Sequence, residues 1–135
     1  MLSPSDHQPL APTYSQICIA PLTATSKLIS LSGQPGIGLD TDMSSPRSFA
    51  DQVRAALANV DKCLKLAGAS KKHIISTKHY LVRISDMKPE DFQARADIYV
   101  EWLDGLPAPV ETLIGVHSMA IPAILYEIEV MALIN

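Results

Sequence analysis

Residues 121–135 constrain this chain most. They read Ile-Pro-Ala-Ile-Leu-Tyr-Glu-Ile-Glu-Val-Met-Ala-Leu-Ile-Asn, and after Pro122 neither Gly nor Pro interrupts the run. Branched and apolar residues at this density make a strand. Strand side chains alternate faces, so Glu127 and Glu129 point the same way, together with Leu125 and Met131. Ile124, Tyr126, Ile128 and Val130 point the other way. Two readings are open. One is an edge strand with two solvated glutamates. In the other, Glu127 lines a pocket, loses water and handles protons.

The remaining elements follow in order. Residues 1–12 are rich in Pro and Ser and read as a flexible arm, leaving residues 13–135 as a single domain. Residues 14–20 and 27–32 read as strands, and the short interval between them implies a hairpin. Gly33-Gln34-Pro35-Gly36-Ile37-Gly38 reads as a loop, or as backbone able to approach a ligand. Its glycine spacing fits no nucleotide fingerprint. Ser48 opens a helix, with Asp51 three residues on as a weak capping box. Phe49, Val53, Ala56, Leu57, Val60, Cys63 and Leu64 form its apolar stripe, and Gly68 stops it. Residues 74–84 read as a long strand. Pro89 begins a second helix, with Glu90 and Asp91 at its positive end and a stripe of Phe92, Ala96, Tyr99, Val100 and Leu103. Residues 111–117 form a further strand, after the stiff Leu106-Pro107-Ala108-Pro109 connection.

The order β-β-α-β-α-β-β is an α+β pattern, one mixed sheet with both helices on one face. The other face is then left bare, and Ile29, Leu31 and Leu113 are expected on it. That imbalance asks for a homo-oligomer.

Composition narrows the function. Hydrophobic residues make up 47% and charged residues 19%, with a net charge of −3. This is a folded, soluble pattern with no bulk attraction for nucleic acid, and no apolar run is long enough to span a membrane. The first residues lack the basic start and apolar core of a secretory signal, which points to a cytoplasmic protein. Cys18 and Cys63 lack CxxC spacing and read as buried thiols. His79 and His117 read as structural histidines inside strands, and no spacing supports a metal. Tyr14, Ser32, Glu111, Glu127 and Glu129 remain as polar residues in or beside strands. Together they suit proton transfer or water activation.

An ordered set of short motifs carries a resemblance across nearly the whole chain from Thr13. Tyr14-Ser15-Gln16, Ser32-Gly33-Gln34, Ala67-Gly68-Ala69-Ser70, Asp91-Phe92, Gly115-Val116, Pro122 and Tyr126-Glu127-Ile128-Glu129 resemble the Rid family, the YjgF-like reactive intermediate deaminases. The resemblance implies a chorismate-mutase-like fold and a homotrimer with a central barrel and clefts between subunits. For the best-known branch it implies hydrolysis of enamines and imines to a keto acid and ammonia, without a cofactor. It assigns catalytic roles to Tyr14, Ser32 and Glu127, and substrate contacts to Gly33, Gln34, Glu111, Val116 and Pro122. The arginine that grips the substrate carboxylate in the deaminase branch is missing. Its place falls on Glu111 or Pro109, depending on the alignment, and the helix-two asparagine falls on Ala96. A glutamate there would repel an anion. If Glu111 shared the cleft with Glu127, a neutral or cationic substrate would be favoured. The expectations are therefore an imine- or enamine-directed enzyme, possible cyclase or isomerase chemistry included, or a non-catalytic trimer that binds a metabolite or partner. RNA cleavage fits the acidic balance poorly.

Overall fold

The computed structural model describes residues 1–9, 11–37 and 47–135. Five strands form one sheet: β1 (Ile17–Pro21), β2 (Lys27–Pro35), β3 (Ile74–Val82), β4 (Val110–Val116) and β5 (Tyr126–Ile134). Two helices, α1 (Phe49–Leu66) and α2 (Pro89–Leu103), complete the α+β arrangement. The strand order is β1-β2-β5-β3-β4. β3 and β4 are parallel; the other pairings are antiparallel.

β5 is therefore a central strand, and the edge-strand reading of it does not hold. Its Tyr126, Ile128, Val130 and Ala132 are fully buried under the helices. α1 supplies the opposing surface through Phe49, Val53, Ala56, Leu57, Val60, Cys63 and Leu64, the stripe expected from the 3.6-residue period. Each large side chain taken fully out of water contributes about 1.5–3 kcal/mol. The signals for α1 also held, whereas the stripe expected for α2 held only in part: Phe92 and Val100 are exposed, and the buried residues of that helix are Arg95, Ile98, Tyr99 and Leu103. The Ser48 hydroxyl accepts from the Asp51 N–H at 3.2 Å, and Gly68 adopts φ 77°, which a residue with a Cβ resists. The hairpin of β1 and β2 forms as expected, closing at Pro21 and Lys27.

Other expectations need correction. Ile29 and Leu31 are 0% and 1% exposed on the helix side, and Leu113 packs against the same core. The bare face instead carries Leu28, Ile114, Val116, Met131 and Leu133, all half-buried. Strand β2 continues to Pro35, because Gln34 and Pro35 pair with Ile128 and Glu127; the glycine-rich loop thus begins later than expected, and Gly38 lies outside the described residues. His117 follows the end of β4 and is exposed, so it is not a strand-interior histidine.

The expected loose arm is packed over residues 1–9. Leu2 exchanges backbone hydrogen bonds of 2.9 Å with Ile17. His7 is only 6% exposed and bonds Gln34, while Asp6 pairs with Lys62 at 3.1 Å. Among the described residues, no helix is long and apolar enough to cross a membrane.

Candidate functional site

The bare face of the sheet presents Glu127 and Glu129 from β5, as the alternation requires. Their surroundings differ. Glu129 accepts from the Tyr80 phenol at 2.9 Å and lies 3.5 Å from Lys78 Nζ. Glu127 sits opposite Pro35 on one side and Tyr80 on the other, and its carboxylate lies against Gly33. Burial raises its pKa above the ordinary glutamate value, and the nearby negative charge of Glu129 raises it further.

Glu127 opens onto a cleft of about 490 Å³. Thr13 and Tyr14 form one wall, Ser32 and Gly33 the floor beside Glu127, and Ala120, Ile121 and Ile124 the opposite wall. Among the described residues that line it, none is basic. The opposite wall belongs to the β4–β5 connection, and α1 holds it in place. Gln52 donates to the Ala123 carbonyl at 3.0 Å and accepts from the Leu125 N–H at 2.8 Å. Gln52 was not singled out in the sequence. The signal was there: a polar residue three after Phe49 and four before Ala56, inside an apolar stripe.

Ser32 reaches across to the start of β1. Its hydroxyl donates to the Ser15 carbonyl at 2.9 Å, with Gln16 oxygens farther off at 3.3 Å. The hydroxyl hydrogen is thereby committed, so toward a ligand Ser32 is an acceptor. A second opening, lined by Tyr14, Cys18, Ser30, Ser32 and Glu129, adjoins the first across Tyr14 and Ser32.

The structure thus brings Tyr14, Ser32, Gly33 and Glu127 together around one cleft. The other candidates lie elsewhere. Gln34 points to the core side and is fully buried. Val116 lines a separate cleft with Arg83, Ile84 and His117. Pro122 is exposed, next to the Ile121 that lines the Glu127 cleft.

Glu111 stands opposite Thr77 in the sheet register and so faces α2, on the other side of the sheet from Glu127. Arg95 donates to it at 3.0 Å, and His79 Nε2 is 3.6 Å away. The two carboxylates do not share this cleft. His79 is fully buried, with Nδ1 2.7 Å from the Tyr126 hydroxyl and 3.4 Å from Arg95. Two donors facing Nδ1 make it the acceptor and leave the proton on Nε2, toward Thr77 Oγ1 at 3.2 Å. Burial, and then the Arg95 charge, push the His79 pKa down to about 3. It is a neutral structural histidine, as its position in the sequence implied. Among the described residues, no cluster of His, Cys, Asp and Glu could hold a metal ion.

Comparison with known proteins agrees with this architecture. The family model described as endoribonuclease L-PSP matches residues 6–134. The Rid-family protein YyfA of Yersinia pestis, described as of unknown function, is 26% identical with a TM-score of 0.76, covering 94% of this chain and 92% of that one. Escherichia coli TdcF, solved with bound serine, gives 21% and 0.78 over 100% and 98% of the two chains. Yeast Mmf1 gives 22% and 0.80 over 99% and 97%. A curated 4-hydroxy-3-methylbut-2-enyl diphosphate reductase from Acidithiobacillus ferrooxidans is 29% identical over 86 residues. That match takes in 62% of this chain but spans only a quarter (25%) of the relative's length. The fold is the chorismate-mutase-like fold of these structures. With a family model covering almost its whole length, the chain belongs to the endoribonuclease L-PSP family, that of the Rid or YjgF-like proteins.

Proposed function

We propose that this protein acts on a small, uncharged imine, enamine or related carbonyl compound at the Glu127 cleft, working as a cytoplasmic homotrimer without a cofactor. One observation carries the reading. Glu127 is a carboxyl with a raised pKa in a cleft whose remaining described lining is apolar or hydroxylic. A carboxyl whose pKa is raised holds its proton to higher pH than an ordinary glutamate and can return it as a base.

For an enamine, protonated Glu127 gives its proton to carbon and forms an iminium. The carboxylate then takes a proton from water as the water oxygen attacks the iminium carbon. Glu127 gives the proton it took from water to the carbinolamine nitrogen, the C–N bond breaks to release ammonia, and the hydroxyl proton returns to the carboxylate as the carbonyl forms. Ser32 supports this choice of substrate, because an acceptor suits an N–H or iminium hydrogen. Tyr14 forms the wall against which the ligand lies. A cyclisation or isomerisation would use the same proton transfers.

Substrate charge follows from the lining. A 2-imino acid brings a carboxylate, and the cleft's described lining offers it no cation while Glu127 and Glu129 stand nearby. Glu111 is paired with Arg95, so it enters the proposal only as part of a near-neutral ion pair that a neighbouring copy could present. The half-buried apolar residues of the bare face, Leu28, Ile114, Met131 and Leu133 among them, support association through that face. RNA cleavage, which the family description names, is disfavoured by the net charge of −3 and the absence of basic residues in the described lining.

The test is ammonia release from neutral imines and from 2-imino acids, with oligomer mass measured in parallel. Neutral substrates should turn over faster, and Glu127→Gln should lose about 10²–10⁴-fold in rate. If no imine is turned over and Glu127→Gln leaves ligand binding unaltered, the enzyme reading fails. If binding depends on Glu127 but nothing turns over, the protein is a metabolite-binding trimer.

A further inference from the structure

Strand β2 pairs with β5 in two blocks, Leu31 opposite Val130 and Gln34 opposite Ile128. Three steps on β2 are matched by two on β5, so one extra residue is accommodated at Ser32–Gly33, a β-bulge. Leu31 and Gln34 consequently both face the core, at 1% and 0% exposure, while Ser32 and Gly33 both face the cleft. Unbroken alternation would have turned Gly33 inward and put Gln34 in the cleft.

A Cβ on Gly33 would stand 1.8 Å from Glu127 Oε1, 2.7 Å from Cδ and 3.0 Å from Cγ. The three nearest obstacles all belong to the Glu127 side chain. Backbone conformation does not require glycine here, since the positive-φ glycines are Gly68 and Gly105. Gln34 pins the bulge from the other side. Its amide nitrogen donates to Gln16 Oε1 at 2.8 Å and to the Ser32 carbonyl at 2.9 Å. Its amide oxygen accepts from His7 Nε2 at 2.7 Å, with the Cys63 thiol at 3.7 Å. Donor and acceptor capacity are both used, so the amide has one orientation in the core.

We propose that Gly33 is a positioning residue: the bulge, held by Gln34, leaves a slot the size of a side-chain methyl in which the Glu127 carboxylate is kept against the floor of the cleft. The slot explains why the Glu127 carboxylate lies over bare backbone, while Glu129, two residues on along the same strand, is held by Tyr80 and Lys78. Its functional meaning rests on Glu127 being the proton-handling group, but its geometry can be tested without turnover.

The first measurement is the Glu127 side-chain titration, followed by carboxyl carbon NMR and assigned against Glu127→Gln. Gly33→Ala should fold, drive the carboxylate into solvent and move its pKa down toward the ordinary glutamate value. Gln34→Leu, which frees the bulge, should move it the same way. The second is a thermal-melting cycle, which serves even where Gly33→Ala is too unstable for NMR. Gly33→Ala should lower the melting temperature of the wild type and have little effect in a Glu127→Ala background, where the slot is empty. A folded Gly33→Ala protein with unchanged Glu127 titration, or an equal melting loss in both backgrounds, overturns the proposal. A downward shift in a protein that turns over no imine leaves the positioning intact and removes the enzyme reading. Turnover that depends on Glu127, with no shift in Gly33→Ala, does the reverse.

Discussion

The phenol of Tyr80 donates to Glu129 at 2.9 Å, while its backbone stands opposite Glu127, two residues earlier on the same face of β5. One side chain thus distinguishes two glutamates that the sequence presents as equivalent. Glu129 has a hydrogen-bond donor and a lysine; Glu127 has burial and a like charge.

Removing that like charge is the first prediction. Glu129→Gln should lower the Glu127 pKa but leave it above the ordinary value, because burial is the larger cause. The pH dependence of stability follows in sign. A carboxyl whose pKa is raised on folding holds its proton in the native state at pH values where the unfolded chain has lost it. Stability therefore falls as pH climbs from the ordinary glutamate range through the folded Glu127 pKa. Glu127→Gln should remove this loss and be relatively more stable at neutral pH. Urea midpoints across pH 4 to 8 for the two proteins would check it.

Arg95 is 5% exposed and, among the described residues, its Nε–H finds no partner and Glu111 is its counter-charge. Glu111→Ala should destabilise by about 2–3 kcal/mol, between the figures for exposed and fully buried pairs, because Glu111 keeps some contact with water. Glu111→Arg, which would restore a basic residue to that strand, should cost more by placing two guanidiniums together. Replacing both partners, as Arg95→Met with Glu111→Leu, should cost less than Glu111→Ala alone. Equilibrium unfolding of the three variants would show the order.

His79 should remain neutral throughout the physiological range. Its folded pKa is about 3, from burial and the Arg95 charge, so its ring signals should not titrate between about pH 5 and 8. The unfolded chain takes up that proton first, so this group's contribution to stability is lost as pH falls below the ordinary histidine value. That slope opposes the one from Glu127 and should stand out in the Glu127→Gln protein.

The two thiols should differ in reactivity. Cys63 is fully buried and its pKa is pushed up to about 12, mainly by burial; Cys18 is half-buried beside the second opening. A thiol reagent at neutral pH should label one site in the native protein and two in denaturant. Equal labelling rates in the native state would count against this packing.

What could be seen in the sequence was local. Ser48, Gly68 and the Phe49-to-Leu64 stripe mark α1 because capping and helical periodicity act within a few residues. The two faces of β5 follow from alternation alone. The central place of β5 does not, because it depends on β2 and β3, remote in the chain. The bulge at Ser32–Gly33 is invisible for a similar reason: it is defined by the partner's count of residues, and without it Gln34 reads as a cleft residue. Glu111 looked solvated because Arg95, its partner, lies sixteen residues back on a helix face that periodicity assigns only loosely. Gln52 could have been found, since nothing but a specific bond accounts for a buried amide in an apolar stripe.

The position of β5 has a consequence for synthesis. β2 and β3 meet only through the strand between them, and residues 126–134 are made long after both. While those residues are still inside the ribosome, the nascent chain exposes two unjoined sheet halves and the underside of both helices. Assembly of the cleft thus waits until this strand has been made, and a copy lacking it presents unpaired strand edges and apolar helix faces to chaperones and proteases.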